Sequence, residues 1–165
     1  MTRSVVTASP IGRLELVEAG GALVAIHFDA PADGSPEHER GGSALLAEAR
    51  RQLAAYFAGE LREFDLPLRP AGTDFQRRVW AVLATVPWGA TTTYGAIAAR
   101  LGLPPGASRA VGAANGANPI PVVLPCHRVI GADGALTGYA GGLERKAVLL
   151  RLEHVATEAD QAPLF

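Results

Sequence analysis

The chain has 165 residues, 48% hydrophobic and 19% charged, with a net charge of −1 at neutral pH. That length suits one domain or two small ones, and the composition is that of a globular protein able to build a core, not of a disordered or fibrous chain. No apolar run reaches the ~20 residues of a membrane span, the N-terminus carries no signal-peptide pattern, and the single cysteine, Cys126, excludes an internal disulfide, a resolving thiol in the same chain and a cysteine-rich zinc site.

His27, His38 and His154 are scattered without ligand spacing, so no metal site is expected. A cytoplasmic, reducing location fits a free thiol. The net charge argues against a nucleic-acid binder until its distribution is examined. Residues 1–70 carry 7 Lys/Arg and 10 Asp/Glu, residues 71–153 carry 8 and 4, and residues 154–165 carry two acids and no Lys or Arg. The segment holding Cys126 is therefore basic. Phosphate attraction depends on local potential, though ordinary scatter of charge gives such counts as well.

In chain order, residues 3–8, 13–19 and 22–28 show β-branched residues and alternation with turn signals between them, which predicts a short antiparallel meander. Residues 29–42, with Pro31, Pro36 and three glycines, predict a mobile loop. From Ser43, Leu45, Leu46, Ala49, Leu53, Tyr56 and Phe57 recur at helical spacing up to Gly59. Residues 63–68 suggest a further strand, and Pro70, Ala71 and Gly72 a linker. Thr73 with Gln76 is a capping-box pattern for a helix through Phe75, Val79, Trp80, Leu83 and Ala84, stopped at Pro87-Trp88-Gly89. Thr93-Tyr94-Gly95 opens another helix through Ile97, Ala98 and Leu101. After the break at 102–106, Ser108 is placed to cap a helix over 109–115. The pair is a helix-turn-helix candidate. A last helix is predicted over 143–153 with Leu149, Leu150 and Leu152 inward, then a loose tail over 156–165.

The second helix of the pair is nearly all small residues, with Arg109 its one long side chain. Glycine costs ~1 kcal/mol relative to alanine in a helix, so the thin surface needs a reason. Close helix–helix packing is one. Close approach to a DNA groove is the other, through shape and backbone contacts more than base-edge reading, since few long side chains are offered.

Cys126 follows an apolar, strand-like run and Pro125, and is followed by His127 and Arg128. A lone cysteine is more often a small buried hydrophobe than a nucleophile. A neighbouring base or cation favours the reactive thiolate, and either His127 or Arg128 can supply that. Successive strand side chains point to opposite faces, so Cys126 and His127 cooperate only if the chain turns near Pro125.

The run 118–131, reading Asn-Pro-Ile-Pro-Val-Val-Leu-Pro-Cys-His-Arg-Val-Ile-Gly, resembles the signature of the O6-alkylguanine-DNA alkyltransferases. Supporting matches fall at 73–80, 87–98, 109–112, 138–142 and 146–153, in the family's order, and residues 1–70 match more weakly. The resemblance implies an α+β chain. An N-terminal ribonuclease H-like α/β domain with a small antiparallel sheet would occupy 1–70, and a mainly helical, winged-helix-like domain containing the helix-turn-helix 71–155. It implies direct reversal of O6-alkylguanine in double-stranded DNA, and O4-alkylthymine with it. The damaged base would be flipped out and its alkyl group moved irreversibly to Cys126, without a cofactor, by a monomer. His127 would take the thiol proton through a water, Glu153 would orient the imidazole, and Tyr94 would donate a proton to the leaving guanine. Arg109 would enter the base stack, Asn118 would link the recognition helix to the active-site segment, and Tyr139 would wall the guanine.

Ser108, Asn115, Val129 and Ala140 also fall on the substrate and DNA side of the resemblance. Ala140 stands where some relatives carry a serine, so any hydrogen bond there must come from backbone. Asn115 takes a position that is apolar in some relatives. Arg128 reads as a structural ion-pair or interface residue rather than a catalyst, and the N-terminal zinc site of some relatives is not carried over, its cysteines being absent. The alternatives are a lesion-binding protein without transfer chemistry, against which Cys126 counts, a cysteine hydrolase, which lacks any sign of an oxyanion hole, and a transcription regulator, against which the bare helix counts.

Overall fold

The computed structural model describes residues 2–35 and 39–156, and its contacts divide the chain into two units: one of the chain up to Ala71 with Pro119–Val123, the other of Gly72–Asn118 with the chain from Leu124 onward. The tail expected at 156–165 lies outside the described residues from 157 on.

In the first unit, three strands form the predicted meander: β1 (Thr2–Thr7), β2 (Leu14–Ala19) and β3 (Ala22–His27), antiparallel in the order β3-β2-β1. Gly20 and Gly21, both at positive φ, make the tight β2–β3 turn. β2 is buried on both faces, with Leu14 and Leu16 on one side and Glu15 and Val17 on the other. Glu15, 1% exposed, accepts hydrogen bonds from Ser4 Oγ (2.8 Å), Ser35 N (2.8 Å) and Ser35 Oγ (2.6 Å).

These bonds anchor one residue of the loop expected over 29–42. Ser35 is pinned to the sheet, and β4 (Glu39–Arg40) adds to β1 in parallel; residues 36–38 lie outside the described residues. Helix α1 (Ala44–Phe57) is capped by Ser43, whose Oγ accepts from Leu46 N, and buries Leu46, Ala49, Gln52, Leu53 and Tyr56. The strand expected at 63–68 is only a bridge from Leu68 to Leu23. Pro67 lacks an N–H, and pairing is limited to Leu23 N on Pro67 O (2.8 Å) and Arg69 N on Leu23 O (3.0 Å).

In the second unit, helix α2 (Asp74–Leu83) starts on the complete Thr73–Gln76 capping box and buries Val79, Trp80, Val82 and Leu83. β5 (Thr92–Thr93) leads into helix α3 (Tyr94–Arg100), whose N-cap Thr93 accepts from Ala96 N. Gly102, at φ +73°, ends it, and a 3-10 turn at Pro105–Ala107 leads into helix α4 (Ser108–Gly116). Ser108 is not the cap. Ala107 is, because the 3-10 turn already presents helical backbone; Ser108 Oγ donates to Pro105 O (3.1 Å). Trp80 Nε1 donates to Ala114 O (2.8 Å) and ties α2 to α4.

The apolar run before Cys126 is not a strand. It is a series of turns through residues 119–124, with Val122 at φ +71°, a left-handed conformation that costs a β-branched residue about 1–3 kcal/mol. Three prolines in that run, at 119, 121 and 125, remove the N–H groups a strand would need. β6 (Val129–Ile130) pairs in parallel with β5, and helix α5 (Leu143–Leu152) closes the described chain, with Leu149 and Leu150 buried and Leu152 only half-buried. Among the described residues, no helix is long and apolar enough to cross a membrane.

Candidate active site

Cys126, His127 and Arg128 form one turn of 3-10 helix, closed by Arg128 N on Pro125 O at 3.0 Å. This is the turn that cooperation of Cys126 with His127 requires. At about three residues per turn the side chains splay in three directions, and all three are buried.

Glu153, at the C-cap of α5 and 0% exposed, gathers two of them. Its Oε2 lies 2.8 Å from His127 Nε2 and accepts from Arg128 Nη2 at 2.9 Å; its Oε1 accepts from Arg128 Nε at 2.7 Å. The third arm of Arg128, Nη1, donates to Val86 O at 2.6 Å. The paired guanidinium keeps Glu153 an acceptor, so His127 Nε2 carries the proton and donates it. Nδ1 is then the basic nitrogen, and this buried atom meets no hydrogen-bond partner among the described residues. Burial lowers the His127 pKa, with the charges of Arg128 and Lys146 acting the same way and Glu153 opposing. The imidazole is thus held neutral, as a base must be before it acts.

Cys126 is 3% exposed. Burial pushes its thiol up to about 11, against hydrogen bonds with the Asn118 and Tyr139 side chains and the charge of Lys146. The resting sulfur is protonated at neutral pH, so its activation falls to proton transfer in the reactive complex rather than to a standing thiolate.

Lys146 carries a role that the sequence reading passed over. Its Nζ donates to Val129 O (2.6 Å) and Thr137 O (2.9 Å), and burial lowers its pKa to about 8 while attraction to Cys126 opposes. The signal was present: Lys146, Leu149, Leu150 and Glu153 fall on one helical stripe, so a lysine and a glutamate interrupt an apolar face. Thr137 was also missed, and its place before Gly138 and Tyr139 gives no sequence signal.

The remaining candidates divide. Asn118 is buried beside Cys126, and its Nδ2 donates to Leu124 O at 2.7 Å. Tyr94 is half-buried, its hydroxyl 2.6 Å from Thr137 Oγ1. Arg109 is exposed on α4 with Ala110, Ala113 and Gly116, so the helix presents a thin face with one long side chain. Tyr139 is half-buried over Cys126 and Ala140 is exposed next to it. One expectation is corrected. Asn115 does not face a groove: α4 turns it inward with Val111 and Ala114, 3% exposed, and its Nδ2 reaches Cys126 O at 3.4 Å. Val129 is buried in β6, and its carbonyl accepts from Lys146. Among the described residues, no His, Cys, Asp and Glu side chains gather into a metal-binding group.

Residues 3–70 match the model of the 6-O-methylguanine DNA methyltransferase ribonuclease-like domain, and residues 74–155 that of the 6-O-methylguanine DNA methyltransferase DNA binding domain. A methylated-DNA--protein-cysteine methyltransferase of Mycobacterium tuberculosis is 51% identical over 153 residues, 92% of each chain. One from Methanosarcina acetivorans is 61% identical over 109 residues, 66% of this chain and 69% of its own. Among solved structures, the Mycobacterium tuberculosis O6-methylguanine methyltransferase aligns with a TM-score of 0.82 at 47% identity, covering 100% of this chain and 97% of the other. The Mycobacterium tuberculosis OGT in complex with DNA aligns with a TM-score of 0.83 at 49% identity, covering 97% and 96%.

Proposed function

The chain belongs to the O6-methylguanine DNA methyltransferase family, and from that premise we propose how its own residues carry the reaction. It repairs DNA by direct reversal, moving the alkyl group from O6 of guanine in DNA to Cys126 as a methylated-DNA--protein-cysteine methyltransferase. The observation that carries the mechanism is the neutral His127, with Nε2 held by Glu153 and Nδ1 left as the open acceptor.

The thiol proton passes to His127 Nδ1 through a water, and the imidazolium that forms is stabilised by Glu153. The sulfur attacks the alkyl carbon in line, the S–C bond forming as the C–O6 bond breaks. Tyr94 supplies a proton to the departing base, without which the leaving group is poor. Arg109 on the thin face of α4 fills the stack vacated by the flipped base, whose extrusion costs a few kcal/mol. Tyr139, with Ala140 and the flanking glycines, walls the base, and Asn118 couples the end of α4 to the Cys126 turn.

The thioether is not cleaved, so each chain acts once. We assign DNA binding and alkyl acceptance to residues 71–155 and the ribonuclease-like domain to 1–70. The protein acts as a cytoplasmic monomer on double-stranded DNA. The test incubates the chain with duplex O6-methylguanine and weighs it intact. One methyl on Cys126 and no further turnover is expected. Tight lesion binding with unchanged mass would leave a sensor without chemistry. Transfer that survives Cys126→Ser would overturn the assignment.

A further inference from the structure

Tyr94 and Thr137 are 43 positions apart, yet their hydroxyls lie 2.6 Å from one another. We propose that Thr137 is a positioning residue for alkyl transfer, its hydroxyl donating to the Tyr94 oxygen so that the Tyr94 proton is aimed at the alkylated base. The inference rests on the role proposed above for Tyr94.

Both partners are fixed from other directions. The Thr137 carbonyl accepts from Lys146 Nζ (2.9 Å), which also donates to Val129 O three residues beyond Cys126. The Thr137 methyl, Cγ2, packs at Gly131, where a side-chain carbon would meet it at 3.4 Å. The Tyr94 ring lies against α4 at Gly112, where a side-chain carbon would meet ring atoms at 3.6 and 3.7 Å. The tyrosine is thus held at its ring by the helix that carries Arg109, and at its oxygen by the loop that carries Tyr139.

A hydroxyl has one proton to donate and two lone pairs with which to accept. Two hydroxyls in contact share one hydrogen bond, so one proton is always left to point elsewhere. With Thr137 as donor, the free proton belongs to the phenol, the stronger acid of the two. The same bond stabilises negative charge on the Tyr94 oxygen as that proton moves to the base. The transfer then balances. Sulfur gains the alkyl carbon, the C–O6 electron pair stays with guanine, and guanine takes the Tyr94 proton. The thiol proton goes to His127. Tyr94 regains a proton from solvent as His127 releases one.

The test is a single-turnover cycle on duplex O6-methylguanine with the full-length wild type, Thr137→Val, Tyr94→Phe and the double variant, with Thr137→Ser as rescue. Thr137→Val, close to threonine in shape but without the hydroxyl, is expected to slow transfer about tenfold, the size of one neutral hydrogen bond. The double variant should be no slower than Tyr94→Phe alone, and Thr137→Ser should lie within about twofold of wild type. Lesion binding, measured with each change in a Cys126→Ser background, should not move, which separates aim from mere packing. A wild-type rate for Thr137→Val, or losses that simply add in the double variant, overturns the inference while leaving Tyr94 its role. A wild-type rate for Tyr94→Phe removes the role of Tyr94 and the inference with it.

Discussion

Replacing Glu153 by glutamine separates what that carboxylate does for the fold from what it does for the reaction. The side chain is 0% exposed and engages His127 Nε2 and two nitrogens of Arg128. Removing its charge leaves the buried Arg128 guanidinium without an anionic partner, with only neutral acceptors such as Val86 O and the new amide oxygen. Breaking a buried pair in this way costs about 3–5 kcal/mol, a fall in Tm on the order of 10 °C for a chain of this size.

The chemical loss is separate. A neutral amide can donate as well as accept, so it no longer obliges His127 to carry its proton on Nε2, and the basic Nδ1 is lost from part of the population. Transfer, corrected for the folded fraction, is expected to slow by roughly 10²-fold or more. Arg128→Met combined with Glu153→Gln removes the stranded cation and should restore most of the Tm without restoring the rate. Thermal melts and rapid-quench transfer from duplex O6-methylguanine measure the two effects. Recovery of the rate along with the Tm, or a wild-type rate in Glu153→Gln once unfolded chain is discounted, would refute the reasoning and leave Glu153 a structural residue.

Methylation of Cys126 should change how stability responds to alkali. The folded thiol titrates at about 11 against an ordinary 9.0, so the unfolded chain sheds its proton first, and folding loses stability as pH rises from about 9 to 11. A thioether has no such loss, and urea midpoints should favour the methylated chain by about 1 kcal/mol more at pH 10 than at pH 7; identical pH responses would sink this. The His127 pKa lies below its ordinary 6.5, so its neutral form, and the stability tied to it, are fully present above that value and fall away as pH drops further. The transfer rate should accordingly be flat between pH 7 and 8 and decline only in acid, and a midpoint above 7 would contradict a neutral buried base. Arg109→Ala should slow transfer from duplex DNA at least tenfold while sparing transfer from the free alkylated base; equal losses on both would move Arg109 out of the flipping step. Trp80→Phe removes the bond to Ala114 O and part of a buried ring, and should cost at least about 1 kcal/mol in chemical denaturation, an unchanged midpoint being the contrary result.

Much of the architecture was legible because it rests on local rules. The capping box at Thr73, the cap at Thr93 and the glycines at 20 and 21 each declare an element boundary within a few residues. What escaped depends on partners far away in sequence. Leu68 meets Leu23, far earlier in the chain, at a single bridge, and Ser35 is held by Glu15, twenty positions earlier. Ser108 lost the cap to the 3-10 turn before it, a conformation that composition does not announce. In the site, the contact of His127 with Glu153 next to Cys126 was legible because the resemblance to a known family implies that grouping. Asn115 was misplaced because a helix of small residues gives little contrast between its faces, so the inward side could not be told from the outward one. Thr137 was invisible because its bond to Tyr94 joins two segments with no local pattern in common.

The burial of Cys126 has a consequence for the waiting protein. Burial pushes the thiol well above its ordinary range, so the sulfur rests protonated at pH 7, and at 3% exposure it offers almost nothing to a passing molecule. Peroxide and freely diffusing alkylating agents react with exposed thiolate. A chain that reacts only once is therefore kept from being spoiled by the same class of chemicals that damages DNA, and the population stays competent until a flipped base arrives.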